Sequence, residues 1–322
     1  MDIILDLVLL VIGFVMLIKG ADWFVDGATG IAHRFHIPEI LIGATVVSIG
    51  TTLPEVMVSA TSALGGHGEI AYGNAIGSII CNTSLVAALT IAIRPSKIDR
   101  KPLIMPVIFF FISAVFYSVV AYTTGYFSRT IGLLLVLIFV IYMLISVFNA
   151  KKSIETVSTD KEKSENSLVK ELVLLIVGAI LIAIGARLLV DNGTIIAEGL
   201  GVPESVIALT FVALGTSLPE LVTAITALAK GHGALSLGNI IGANLFNLVL
   251  VSGVSVVLSP FAIPSSLQVN GINASLLVDI PVMFLVMLIL TLPAILRKKL
   301  SRAQGIILLL IYAAFCVFQF TV

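Results

Sequence analysis

Adding 165 to a residue number in the first half of this chain repeatedly finds the same residue type in the second half. "GTTLPE" at 50–55 returns as "GTSLPE" at 215–220, and "GHGEIAYGNAIGSIICN" at 66–82 as "GHGALSLGNIIGANLFN" at 231–247. From 41 to 85 no gap is needed, and 18 of 45 positions are identical. Further upstream, Gly20, Ala21, Asp26, Pro38 and Glu39 return as Gly185, Ala186, Asp191, Pro203 and Glu204. Two unrelated leucine-rich helices would share Leu and Val. Here the shared residues are mainly Gly, Pro, Thr, Asn, Glu and His, so the chain carries a true internal duplication.

What the copies are made of decides how they sit. The chain is 59% hydrophobic and 11% charged, whereas soluble domains carry about 25% charged residues. Apolar runs of bilayer-spanning length, roughly 20 residues, recur from end to end. The pattern predicts ten spans, at 3–30, 38–64, 69–93, 103–122, 126–148, 169–192, 203–229, 234–258, 274–296 and 303–320. The first run carries Asp2 and Asp6 in place of a basic leader and no small-residue cleavage site follows it, so it reads as a span and not as a signal peptide. The stretch 149–171, rich in Lys, Ser and Glu, reads as a flexible linker between a first five-helix repeat (1–148) and a second (172–322). Five is odd, so the second copy enters the bilayer upside down. The expected fold is an all-α polytopic membrane protein, ten transmembrane helices in two inverted five-helix repeats, an arrangement that places substrate near the midplane between repeats.

Lys and Arg set the expected orientation. Counting loops from the first, odd loops hold Arg34; Arg94, Lys97, Arg100 and Lys101; Lys151, Lys152, Lys161, Lys163 and Lys170; Lys230; and Arg297, Lys298, Lys299 and Arg302, whereas even loops hold only Arg129. That asymmetry predicts a multi-pass protein of the cell membrane with odd loops and linker cytoplasmic and both termini outside. A net charge of zero gives no reason to expect a nucleic-acid partner. Cys81 and Cys316 lie in apolar segments without metal-ligand spacing and read as small core hydrophobes.

The duplicated "GTTLPE" and "GTSLPE" put a helix breaker and a carboxylate inside apolar spans. Pro54 and Pro219 lack an N–H and clash with the carbonyls of Gly50 and Gly215, so the helices are expected to loosen there and free carbonyls around 47–51 and 212–216. Such backbone must line a cavity or be buried in protein. Thr51, Thr52, Thr216 and Ser217 add hydroxyls; Glu55 and Glu220 add carboxylates, each costing roughly 2.5–3.5 kcal/mol at the bilayer centre. A bound cation would remove that cost, and an all-oxygen cage suits Ca²⁺, which takes 6–8 oxygens. Asn74, Asn82, Asn239 and Asn247 supply amides from the next span, with Asn82 on the face of Ser78 and expected to look at Glu55, and Asn247 at Glu220. For Asn74 and Asn239, interhelical hydrogen bonding and ion binding are equally open. Gly73, Gly77, Gly238 and Gly242 read as helix-packing positions, and His67 and His232 as loop residues.

At these motifs the chain resembles the cation/calcium exchanger superfamily, and within it the bacterial and archaeal sodium/calcium antiporters. The resemblance rests on the paired G-T-[ST]-L-P-E and G-N-x-x-G-[SA]-x-x-x-N motifs and spans both halves. It implies a core of spans 2, 3, 7 and 8, across which spans 1 and 6 slide as long tilted helices. It implies Glu55 and Glu220 as the main Ca²⁺ and Na⁺ ligands, the carbonyls of Thr51 and Thr216 completing the Ca²⁺ site, and Thr52, Ser217 and the carbonyls of Ser48 and Ala213 forming Na⁺ sites. Ser78, Asn82 and Asn247 would join them. Archaeal relatives carry a serine at the position of Ala243 and an aspartate at that of Asn247. The first change removes a hydroxyl ligand and the second a titratable group, leaving two glutamates whose charge one Ca²⁺ or two Na⁺ would balance.

The function implied is secondary exchange of Ca²⁺ for Na⁺ by alternating access, with transported Ca²⁺ and Na⁺ and the lipid bilayer as the only partners and no covalent cofactor. The alternative is proton exchange for Ca²⁺ or another divalent cation on the same fold, with the glutamates as proton carriers. An intramembrane hydrolase would need a nucleophile–base pair or a carboxylate dyad. Glu55 and Glu220 are the only candidates and no buried His accompanies them, so the chain is not read as an enzyme.

Overall fold

The structure is a computed structural model, and it describes residues 3–156, 167–199, 215–264, 268–269 and 271–321. Ten helices follow in order: α1 (Ile3–Arg34), α2 (Glu39–Leu64), α3 (Gly68–Ile93), α4 (Arg100–Thr124), α5 (Arg129–Thr156), α6 (Leu168–Gly199), α7 (Leu218–Ala229), α8 (Gly233–Leu258), α9 (Ser275–Arg297) and α10 (Arg302–Thr321). Among the described residues nine are long and apolar enough to cross a membrane. The tenth, α7, is the end of the expected span 203–229, whose stretch 203–214 lies outside the described residues. The duplication reappears in the backbone without drift: α3 and α8 start at 68 and 233 and end at 93 and 258.

The expected linker is shorter than read. Residues 149–156 continue α5, and α6 begins at Leu168. No Gly or Pro interrupts 149–156, and Lys and Glu are good helix formers, so polarity alone did not end the helix. The remainder, 157–166, lies outside the described residues.

α1 and α6 run antiparallel in contact along their length. A Cβ added to Gly13 would meet the Gly185 carbonyl at 2.9 Å, one on Gly20 the Gly178 carbonyl at 2.9 Å, and one on Gly27 the Glu171 carbonyl at 2.6 Å. Each step of seven residues up α1 is thus met by seven down α6, as an inversion of the two copies demands. The seven-residue spacing keeps one face of each helix on its partner, and glycine lets the backbones touch. Where α1 ends, Arg34 holds Glu171 of α6 at 2.7 and 3.0 Å.

The α1–α6 pair flanks a core in which α2 crosses α8, α3 packs on both α2 and α8, and α7 packs on α8. The core helices are the most enclosed, with α8 83% and α3 72% buried, against 22% for α5 and 17% for α10. At the α2–α8 crossing, Gly238 lies against the Ile40 backbone and Gly242 against the Ala44 backbone and Ser48 Oγ, so their packing role is borne out. Gly73 and Gly77 have no described atom within 4 Å of an added Cβ, and the inverted counterpart of the α2 surface, 205–209, lies outside the described residues.

Loops gather by parity. On one face, the Ile98 N–H donates to the Lys298 carbonyl, the Leu300 N–H to Ser96, and the Arg94 guanidinium to Leu228, tying loops three, nine and seven together. On the other, β1 (Tyr126–Phe127) pairs antiparallel with β2 (Phe261–Ala262), joining loops four and eight, and Phe261 lies against Gly68 at the start of α3. A second short pairing, β3 (Gln268–Val269) with β4 (Ile272–Asn273), closes loop eight on itself.

Candidate cation site

The motif helix does not loosen where Pro54 suggested. Residues Ser48–Leu64 are α-helical straight through Pro54, and the wide turn lies upstream, as a π-helical segment at Gly43–Val47. A π turn inserts one residue and leaves carbonyls without their usual partner. Tyr142 of α5 donates to the Ala44 carbonyl at 2.7 Å, and Ser48 Oγ lies 2.8 Å from the Gly43 carbonyl and 2.9 Å from that of Asn239 in α8. Tyr142 of α5 and Ser48 of the same helix therefore take up carbonyls ten and eleven residues before the proline. In the second copy the interruption does fall in the motif: Thr216 and Ser217 form a turn, and Pro219 sits in the first turn of α7, where its missing N–H costs no hydrogen bond. Ala213 lies outside the described residues.

The motif glycines have a second use. A Cβ on Gly50 would lie 2.8 Å from the Phe24 ring of α1, and Gly215 meets Val190 of α6. Each outer helix thus rests on the motif of its own repeat through a glycine.

Two further π turns begin at the motif asparagines, at Asn82–Ala87 in α3 and Asn247–Val251 in α8. Ser252 Oγ donates to the Asn247 carbonyl at 3.0 Å, five residues back, repeating the spacing of Ser48 and Gly43. The turn opened by Asn82 packs against α7 and α8, and the turn opened by Asn247 against α2 and α3. Each asparagine turn therefore meets the opposite repeat.

Ser48, Thr51, Thr52, Glu55, Ser78, Asn82, Ser217, Glu220 and Asn247 are all buried, and Thr216 is half-buried. Glu55 and Glu220 are fully enclosed and near enough to act on each other electrostatically, with Thr51 beside the Glu220 carboxyl. Both carboxyl oxygens of each glutamate, both side-chain atoms of Asn82 and Asn247, and the hydroxyls of Thr52 and Ser217 find no hydrogen-bond partner among the described residues. Burying a single polar group unpaired costs roughly 1–3 kcal/mol, and a charged one more. So many in one place describe oxygens and amides gathered for something other than each other. Ala243 is buried and brings no hydroxyl.

Asn74 and Asn239 act as ties between helices. Asn74 Nδ2 donates to the Glu55 carbonyl at 3.2 Å and to Ser59 Oγ at 2.8 Å, and Asn239 Oδ1 accepts from Thr51 Oγ1 at 3.2 Å.

The sequence profile described as "Sodium/calcium exchanger protein" matches residues 5–148 and 170–321. The chain belongs to the sodium/calcium exchanger family. It is 36% identical to the "Uncharacterized membrane protein MJ0091" of Methanocaldococcus jannaschii, covering 94% of this chain and 93% of that one. It is 29% identical to the "Sodium/calcium exchanger MaX1" of Methanosarcina acetivorans, covering 99% of both. Solved structures of the sodium-calcium exchanger NCX_Mj share its fold; one soaked with 10 mM Na⁺ and 10 mM Sr²⁺ gives a TM-score of 0.80 at 34% identity, covering 97% of both chains. Exchangers are transporters, and the chain's multi-pass helical architecture in two inverted repeats is that of this exchanger fold.

Within this exchanger the motifs hid some neighbours of the site. Cys81 faces Ser217 and Glu220 across the repeat boundary. Asn244 Nδ2 donates to Thr83 Oγ1 at 2.7 Å, a tie from α8 to α3. Thr223 is buried one turn after Glu220, and its hydroxyl has no hydrogen-bond partner among the described residues. Asn244 aligns with Ile79 and Cys81 with Phe246, so neither is marked by the duplication; the signal available was position, since Cys81 precedes Asn82 and Thr223 follows Glu220 at i+3.

Proposed function

We propose that this exchanger moves Ca²⁺ against Na⁺ by alternating access at one site shared by its two repeats, with Glu55 and Glu220 as the principal ligands. The observation that carries the reading is the pair of enclosed carboxyl groups, one from each inverted half, whose four oxygens have no hydrogen-bond partner among the described residues. One Ca²⁺ or two Na⁺ neutralise them, so either loaded form crosses more easily than the empty one, and exchange replaces leak without ATP. Thr52, Ser217, Asn82 and Asn247, which have side-chain atoms without a partner among the described residues, would complete the ligand set together with Ser78 and the carbonyls of Ser48, Thr51, Thr216 and Ala213. The odd-loop face, which carries the Lys and Arg clusters, is assigned to the cytoplasm, with both termini outside.

The test is Na⁺-driven ⁴⁵Ca²⁺ flux in proteoliposomes. Glu55→Gln and Glu220→Gln are each expected to reduce it to background, and wild-type flux in either variant defeats the assignment. Uptake driven by a pH gradient in the absence of Na⁺ would move the reading to proton exchange.

A further inference from the structure

The two copies differ where they meet the outer helices. On the odd-loop face, Lys230, in the turn between α7 and α8, places its ammonium 2.6 Å from Asp22 Oδ1 and 2.6 Å from Asp26 Oδ1, both on α1, and also donates to the Asp22 carbonyl at 3.1 Å. Burial alone would lower the pKa of this ammonium; the hydrogen bonds to Asp22 and Asp26 outweigh it and hold the group above its ordinary value. The same turn carries His232, whose Nδ1 lies 2.8 Å from Glu39 Oε1 at the start of α2, with His33 Nε2 of α1 3.7 Å from that oxygen.

The inverted counterparts of Lys230, Asp22 and Asp26 cannot build the lysine clamp. Position 65 is glycine where 230 is lysine, Arg187 stands for Asp22, and only Asp191 keeps the acid of Asp26. Arg187 and Asp191 pair with each other one turn apart at 3.4 Å, 83% and 58% exposed, whereas Lys230 is 26% exposed. The odd-loop end of α1 is therefore clamped onto the core by a lysine whose position in the other copy is a glycine.

We infer that Lys230 is a positioning residue for transport: by holding Asp22 and Asp26 it latches α1 to the α7–α8 turn and keeps the ion site closed to the odd-loop face, a lysine latch that Gly65 and Arg187 do not repeat in the other copy. The glycine seam makes α1 and α6 one unit, so a latch on α1 restrains both. A lysine clamp that the other copy does not repeat tilts the resting equilibrium toward the conformer open at the even-loop face. Affinity measured at the odd-loop face is then weakened by the small fraction of molecules open to it. Half-exposed ion pairs to two partners shift such an equilibrium by roughly threefold to tenfold. The proposal rests on the exchange reading for the identity of the ions but not for the motion.

The test uses the full chain in lipid with nitroxide labels at Lys19→Cys on α1 and Ala234→Cys at the start of α8, both exposed positions, in a Cys316→Ala background. Lys230→Ala is expected to add a longer label–label distance or raise its population about threefold to tenfold, and Lys230→Arg to keep the short one. The double variant Asp22→Asn/Asp26→Asn gives an independent route to the same shift if Lys230→Ala folds poorly. In sided vesicles the half-saturating Ca²⁺ concentration at the odd-loop face should fall by the same factor, with little change at the other face. Unchanged distances in both Lys230→Ala and the aspartate pair overturn the latch. A wild-type protein without Ca²⁺ flux overturns the exchange reading and leaves the distance measurement to judge the latch alone.

Discussion

Neutralising one site glutamate should reverse sign between ion-free and ion-loaded protein. Glu55 is fully enclosed, and neither carboxyl oxygen has a partner among the described residues. Removing one partner of a buried charged set costs about 3–5 kcal/mol because a charge is left uncompensated. Glu55→Gln relieves that in the ion-free protein but leaves an amide unpaired at roughly 1–3 kcal/mol. The ion-free variant should therefore be more stable than wild type by about 1–3 kcal/mol. With Ca²⁺ at a hundred times its Kd, wild type gains about 2.7 kcal/mol and the variant gains nothing. At about 2 °C per kcal/mol for a chain of this size, wild type should rise by about 5 °C on Ca²⁺ addition. Buried Cys81 allows unfolding to be followed with a thiol-reactive fluorophore. A residue that merely packs would shift both curves in one direction. The reasoning is refuted if Glu55→Gln lowers the midpoint without ion, or if it keeps the full Ca²⁺-induced rise.

Two further outcomes follow from the backbone around the site. Gly242→Ala puts a methyl 2.6 Å from Ala44 Cα and 2.8 Å from its carbonyl carbon, so α2 and α8 must separate; we expect a loss of about 1–3 kcal/mol in thermal unfolding and a loss of flux. Tyr142→Phe removes the 2.7 Å hydrogen bond to the Ala44 carbonyl and should cost about 1–2 kcal/mol in the same assay, with flux reduced because the π turn beside the site loses its tie; an unchanged midpoint would deny that tie.

Several features were legible in the residues. The 165-residue recurrence of Gly, Pro, Asn and Glu, together with five apolar spans per copy, gave the inverted architecture, and the limits of α3 and α8 repeat it residue for residue. Lys and Arg parity sorted the loops into two faces, and the loops are found joined by that parity. The burial of Glu55, Glu220, Asn82 and Asn247 followed from carboxylates and amides set in runs that offer them no water.

Other features depended on contacts between elements far apart in the chain. Pro54 told of a missing hydrogen bond, yet the widened turn formed at Gly43–Val47, because Tyr142 and Ser48 supply donors there. The asparagine turns crossed to the opposite repeat because α2 packs on α8 through glycines. The lone lysine at 230 read as an orientation signal until α1 brought two aspartates to it. A sequence records which hydrogen bonds and charges each segment leaves unmet. Which partner meets them is a property of the packed helices, since donors and acceptors choose by distance in space and not by separation along the chain.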